Sequence, residues 1–266
     1  MALDALSQLS IELSARCNKT CYFCGHQNAN VNPAILQAGD MDFALLERIA
    51  KQVPCGIIVQ FHRDGEPMIY LQLRQALGLF AGSIRSIVTN GKNLGDRGAE
   101  LIGSCERITV SVFDGDLESA EQHAQLSAFL RLRPAHLLPA VNIKIVGEMD
   151  AGRLASWTAY QLPIIRRQFH HPAGDWNYRG SGPPIPESMM CLDLLSHPSI
   201  DWQGNLYLCN RLQPAGEGKL GNLCDASLDE LWNGEQRRTV IRQHLLMQRE
   251  SVSACRGCEY WGIPAA

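Results

Sequence analysis

The stretch 15–27, ARCNKTCYFCGHQ, places Cys17, Cys21 and Cys24 in the spacing C-x3-C-x2-C. Thiolates are soft ligands that suit zinc or an iron–sulfur cluster. A tetrahedral zinc site needs four protein ligands, and a 4Fe–4S cube has four irons to cap. Three cysteines leave one position open unless a distant residue such as His26 fills it. Zinc sites usually join one C-x2-C pair to another, so the spacing weighs against zinc without removing it.

A second set lies near the other end. Cys191, Gly204 and Cys209 read C-x12-G-x4-C, and Cys255 with Cys258 reads C-x2-C. Four thiolates there would close the coordination of another cluster or of a structural zinc ribbon. Cys55 and Cys105 flank apolar stretches and are expected in the core; Cys224 is expected to be a partly buried free thiol.

The rest of the composition bounds the chemistry. With 266 residues the chain suits one large α/β domain with a small appendage. A net charge of −3 gives no global attraction to nucleic acid or anionic lipid. No apolar run reaches the length of a membrane helix, and the start lacks the basic and apolar regions of a signal peptide. The expected location is the cytosol, where ten cysteines point to metal or redox chemistry rather than disulfides.

The elements that must position these cysteines follow from periodicity. Residues 8–13 alternate apolar and polar and run into the first cysteine loop. A helix over 41–53 carries Leu46, Ile49 and Val53 on one stripe, with Asp40 or Asp42 as cap. Strands over 55–61, 83–91, 107–113, 139–147 and 163–169 alternate with helices over 70–80, 96–105, 116–132 and 151–162. Such repetition predicts parallel βα units, too few for a closed eight-fold barrel but enough for a partial one. The cysteine loop, GEP at 65–67, TNG at 89–91 and FDGD at 113–116 each follow a strand and should meet at one mouth. Residues 172–190 read as a Pro/Gly-rich linker, 196–210 as two short strands about Gln203-Gly204, and 227–246 as one helix capped by Ser227.

C-x3-C-x2-C after the first strand, Phe23 before its last cysteine, and Gly65-Glu66-Pro67 after the second strand together resemble the radical S-adenosylmethionine (SAM) superfamily. The second set resembles the SPASM and Twitch auxiliary-cluster extensions, as does GNLCDASLDELWN at 221–233. The resemblance implies an α/β fold: a partial (β/α)6 barrel at 1–171, the linker at 172–190 and a small C-terminal Twitch-like Fe–S extension at 191–266. It implies a SAM-binding 4Fe–4S cluster on Cys17, Cys21 and Cys24, whose fourth iron is left open for SAM. It also implies one auxiliary 4Fe–4S cluster on Cys191, Cys209, Cys255 and Cys258. SAM contacts are implied for the Gly65, Glu66 and Pro67 turn, for Asn90, for Ser111 at the ribose, and for Ile143 and Val146 at the adenine.

The implied activity is reductive cleavage of SAM to a 5′-deoxyadenosyl radical, which abstracts hydrogen from a substrate. A Twitch member of similar size oxidises an aminocyclitol alcohol, so a small polar substrate and a two-electron oxidation are expected, with the auxiliary cluster accepting an electron. An electron donor such as flavodoxin or ferredoxin is expected as partner. Alternatives are modification of a ribosomally made peptide or of a modified nucleobase or nucleotide, and, more remotely, a zinc-stabilised binding protein. Asp64, His170 and Arg211 are the candidates for substrate binding or proton transfer, with His62, Arg63, His171, Asp175 and Arg179 nearby. Trp176, Trp232 and Trp261 read as packing anchors.

Overall fold

The computed structural model describes residues 3, 5–24, 38–167, 190–210, 218–256 and 258. Within them, β1 (Gln8–Ile11), β2 (Ile58–Phe61), β3 (Ile84–Thr89), β4 (Arg107–Phe113), β5 (Ala140–Val146) and β6 (Ile164–Arg167) lie side by side in sequence order, all parallel. The crossovers carry α1 (Phe43–Ala50), α2 (Leu73–Leu79), α3 (Leu94–Arg97), α4 (Ser119–Leu132) and α5 (Ala151–Thr158). This is the α/β partial-barrel architecture expected from the alternation.

Local chemistry sets the elements. Asp42 caps α1 by accepting from Leu45 N–H at 2.9 Å, which leaves Asp40 to pair with Arg16. Leu46 and Ile49 of the expected stripe are fully buried, and Val53 falls beyond the helix end. The helix expected over 96–105 starts at Leu94 and gives way to a 3-10 turn at Gly98–Glu100. Gly98 lies against the Phe129 ring, where a Cβ would come within 2.3 Å, so α3 and α4 pack at close range.

Alternation along the strands divides the sheet into two faces. Leu9, Ile11, Val59, Phe61, Ile108, Val110, Val112, Val141, Ile143 and Ile145 join Leu46, Leu77, Leu126 and Phe129 of the helices in one apolar core. Among the described residues the opposite face is largely polar. It carries Ser10, Gln60, Ser86, Thr109, Ser111, Asn142 and Lys144, and Thr109 bonds Asn142 across β4 and β5 at 3.1 Å.

The C-terminal strands continue the same sheet. β7 (Ser199–Ile200) pairs parallel with β1, β8 (Asn205–Tyr207) antiparallel with β7, and β9 (Lys219–Asn222) antiparallel with β8. The two strands expected about Gln203-Gly204 are β7 and β8, and β9 is an addition. α6 (Leu192–Ser196) precedes this ribbon; α7 (Leu228–Trp232), α8 (Glu235–Leu245) and α9 (Ser253–Arg256) follow it. The single helix expected over 227–246 is broken at Asn233-Gly234, though Ser227 caps α7 in a full capping box with Glu230. The expected linker, apart from Met190, lies outside the described residues.

Two thiols depart from expectation. Cys105 is buried, but Cys55 is exposed because β2 begins only at Ile58 and Cys55 precedes a turn at Gly56. Cys224 is also exposed rather than partly buried.

Candidate functional site

Four loops at the C-terminal edge of the sheet are tied together around the first cysteines. Gly65 sits so close to the first loop that a Cβ would lie 2.0 Å from Ser14 O and 2.7 Å from Arg16 O. Only glycine permits that approach. Glu66 N–H then donates to Arg16 O at 2.8 Å. The Glu66 side chain, 2% exposed, accepts from Met68 N–H at 2.9 Å, Thr89 Oγ1 at 2.7 Å and Asn90 N–H at 2.7 Å. Burial raises its pKa against the pull of those donors. Glu66 therefore fastens the loop after β2 to the loop after β3. Pro67 starts the 3-10 turn that Glu66 caps.

Asn90 carries the connection onward. Its amide donates to Asn18 Oδ1 at 2.7 Å and contacts Cys17 Sγ at 3.7 Å. Lys92 Nζ reaches Asn18 O at 3.0 Å and Glu118 Oε1 at 2.5 Å. From the middle of the cysteine loop, Lys19 forms an ion pair with Asp116 of the loop after β4, and its ammonium lies 5.1 Å from the Phe113 ring centroid. Both partners are buried, with 1% and 4% side-chain exposure.

Burial and then the neighbouring Cys24 push Cys21 up to about 12, and burial raises Cys17. Cys17 and Cys21 lie in a partly buried loop, where burial disfavours their ionised form. Among the described residues no three His, Cys, Asp or Glu side chains converge tightly enough to grip a single metal ion. Cys17, Cys21 and Cys24 make an all-sulfur donor set, which suits zinc or an iron–sulfur cluster.

The polar inner face lies beneath this mouth. Ser111 stands opposite Lys144 on β5. Ile143 and Val146, paired at the sequence level, are split by alternation: Ile143 is in the core, whereas Val146 shares the inner face with Lys144. Asp64 follows β2, and its Oδ2 is buried without a hydrogen bond among the described residues, 4.0 Å from Arg63 Nη1. Arg211 and His170, with His26, His171, Asp175, Arg179, Trp176 and Trp261, lie outside the described residues. Trp232 is fully buried, with the Arg237 guanidinium 3.5 Å from its ring centroid.

Of the second cysteines, Cys191 caps the start of α6, Cys209 follows β8, Cys255 is in α9 and Cys258 lies just beyond it. Cys209 O accepts from Ser199 Oγ at 3.0 Å. Arg249 donates to the carbonyl oxygens of both Cys255 and Cys258, the latter at 3.0 Å, and so shapes the C-x2-C turn.

Sequence reasoning missed the junction between the barrel and the ribbon. Glu12 is 3% exposed; Oε1 accepts from Asp64 N–H at 3.1 Å and Oε2 from Trp202 N–H at 3.2 Å. Burial and then Asp64 push Glu12 up to about 7, against the pull of Arg63 and Trp202 N–H. Arg63 lies over the Tyr207 ring at 4.4 Å, and Tyr207 OH donates to Asp201 Oδ2 at 3.0 Å. The available signal was a carboxylate in phase with Gln8 and Ser10 on a buried strand.

Residues 191–259 match the SPASM family, an iron–sulfur cluster-binding domain. The whole fold is similar to BtrN in complex with AdoMet and 2-DOIA, at 17% identity and a TM-score of 0.63, covering 96% of this chain and 93% of that one. It is also similar to Streptococcus suis SuiB bound to S-adenosylmethionine, at 13% identity and a TM-score of 0.58, covering 96% and 72%. SuiB bound to precursor peptide SuiA matches at 13% identity and 0.58, covering 90% and 67%. A search of curated protein sequences finds no match. The likeness to these structures is one of fold: a parallel partial barrel followed by a C-terminal segment that matches a SPASM family model. The matched segment contains Cys191, Cys209, Cys255 and Cys258.

Proposed function

We propose that the protein is a radical SAM oxidoreductase acting on a small polar substrate, with residues 1–171 as the catalytic barrel, 172–190 as linker and 191–266 as the auxiliary-cluster part. The observation that carries this reading is the set of four loops bound to one another around Cys17, Cys21 and Cys24, with a polar inner face directly below. When bound, a 4Fe–4S cluster on these cysteines and SAM supply the one-electron chemistry that generates a 5′-deoxyadenosyl radical. The GEP turn, Asn90, Ser111 and Val146 orient the sulfonium cofactor from the mouth and the inner face. Asp64, whose Oδ2 accepts no hydrogen bond among the described residues and lies 4.0 Å from Arg63 Nη1, would take the proton lost when an alcohol is oxidised. His170 and Arg211 remain candidates for the same work. Cys191, Cys209, Cys255 and Cys258 would hold an auxiliary 4Fe–4S cluster, with four thiolates closing its coordination, and electrons would come from a flavodoxin- or ferredoxin-like donor.

The small-substrate reading draws support from coverage: this chain spans 93% of BtrN, whose structure holds the small molecule 2-DOIA. Peptide modification is the second reading, favoured by the likeness to SuiB bound to a precursor peptide.

Anaerobic reconstitution tests the proposal. Brown protein with about eight irons and eight sulfides per chain is expected. Replacing Cys17, Cys21 and Cys24 together by Ala should abolish SAM cleavage and leave about four irons. Cleavage by that variant, or stoichiometric zinc in colourless wild-type protein, overturns it.

A further inference from the structure

The inner face carries a group of bases that the cofactor assignments leave unused. Lys144 projects from β5 on the same face as Ser111. Arg167, at the end of β6, stands opposite Val146 and so shares that face. His62 follows β2, one step beyond Phe61, and His197 precedes β7 and bonds Ser10 across the sheet at 2.9 Å. Four elements thus direct basic side chains toward one space.

These groups sense one another. Burial, and then Arg167, lower Lys144 to about 8. Burial, then Lys144, then His197, push His62 down to about 3, so it serves as a neutral hydrogen-bonding ring at ordinary pH. Nearby carboxylates have partners of their own: Glu12 accepts two backbone N–H groups, Asp201 holds Asn205 and Tyr207, and Asp193 is 3.6 Å from His197. Among the described residues, no carboxylate pairs with Lys144. Withdrawing an ammonium from water beside a second cation is costly unless an anion arrives.

We propose that Lys144, Arg167 and His62 form a subsite for an anionic group, a carboxylate or phosphate, on the substrate. The inference rests on the radical SAM reading and narrows its substrate class. Lys144 supplies a point charge and Arg167 a planar fork that matches two oxygens. His62 adds a neutral N–H.

The test uses the wild-type holoprotein reconstituted with both clusters and saturated with SAM. Inorganic phosphate and acetate are the probes, titrated separately and followed by thermal shift and equilibrium binding. Saturable binding of one or both is expected, and the tighter one identifies phosphate or carboxylate as the preferred group. Lys144→Met should weaken that binding at least tenfold while SAM affinity stays within twofold, and Lys144→Arg should retain it. If Lys144→Met fails to fold, Arg167→Gln, at the exposed end of β6, must show the same loss. Absence of saturable binding by either probe overturns the proposal. So does a Lys144→Met variant that loses SAM affinity in parallel, which would assign the lysine to the cofactor. Cluster content and SAM cleavage are measured on the same samples, so failure of the parent reading is seen separately from failure of the subsite.

Discussion

Lys19, two residues after Cys17, is buried against Asp116, so the first cysteine loop is anchored by an ion pair to the loop after β4. Removing one partner of such a pair leaves the other charge stranded and costs about 3–5 kcal/mol. Asp116→Ala should therefore destabilise the fold and free the cysteine loop. The expected outcome is loss of the N-terminal cluster with the auxiliary cluster retained, seen as a fall toward half of the wild-type iron. Lys19→Met combined with Asp116→Leu removes both charges and should recover most of the stability in a urea melt. Iron should recover less, because an apolar pair does not fix the loop in the same place.

Glu66 is the corresponding anchor on the other side of the mouth. Its carboxylate satisfies three donors, two of them in fully buried bonds. Each buried donor left unpaired costs about 1–3 kcal/mol. Glu66→Ala should lower unfolding free energy by roughly 3 kcal/mol or more by that reckoning. Glu66→Gln should fall between, since its amide can accept at one oxygen only. Chemical denaturation monitored by circular dichroism gives the order; equal stability of all three proteins would remove Glu66 from this role.

The mouth was legible in the sequence because its motifs are local: three cysteines, GEP and TNG each follow an apolar strand at short range. What holds the motifs together was not. Glu66–Asn90, Lys19–Asp116 and Lys92–Glu118 join residues 24 to 97 positions apart, and no periodicity marks such pairs. The inner face was hidden for a different reason. Alternation on β4 and β5 reports one apolar and one polar face, and a polar face turned toward a lumen reads the same as one turned toward water. Ile143 and Val146 share one strand in element order, yet they lie on opposite faces of β5. β9 carries Gly221 and only one buried apolar residue, Leu220, so it offered no strand signal.

Glu12 predicts a pH dependence. Its folded pKa of about 7 lies above the ordinary carboxylate value of 4.5. The folded state thus holds a proton that the unfolded chain releases earlier. The resulting contribution is complete below the unfolded value and is lost as pH rises through the folded one. Thermal stability of the wild type should decline between pH 4.5 and about 7 more steeply than that of Glu12→Gln, by close to one proton. Parallel curves for the two proteins would place the titration elsewhere.

Arg249 gives the sharpest test of the auxiliary site, because it acts on the cysteines without being one. Its guanidinium holds the backbone carbonyls of Cys255 and Cys258, and therefore the turn that presents both thiolates. Both bonds leave one nitrogen, Nη1, whose N–H groups are fixed in the guanidinium plane; a lysine ammonium turns freely on a shorter stem. Arg249→Ala should leave the C-x2-C turn unguided, and Arg249→Lys should restore only part of the order. The expected result is reduced iron in the C-terminal half with SAM binding and N-terminal cluster loading intact. Those two readouts use the wild-type background; auxiliary iron alone is read in a second background, the Cys17, Cys21 and Cys24 to Ala variant, in which all remaining iron belongs to the auxiliary site. There, Arg249→Ala should lower iron severalfold and alter the electron paramagnetic resonance signal of the reduced cluster. Unchanged loading and an unchanged signal would show that the turn holds its shape without the guanidinium.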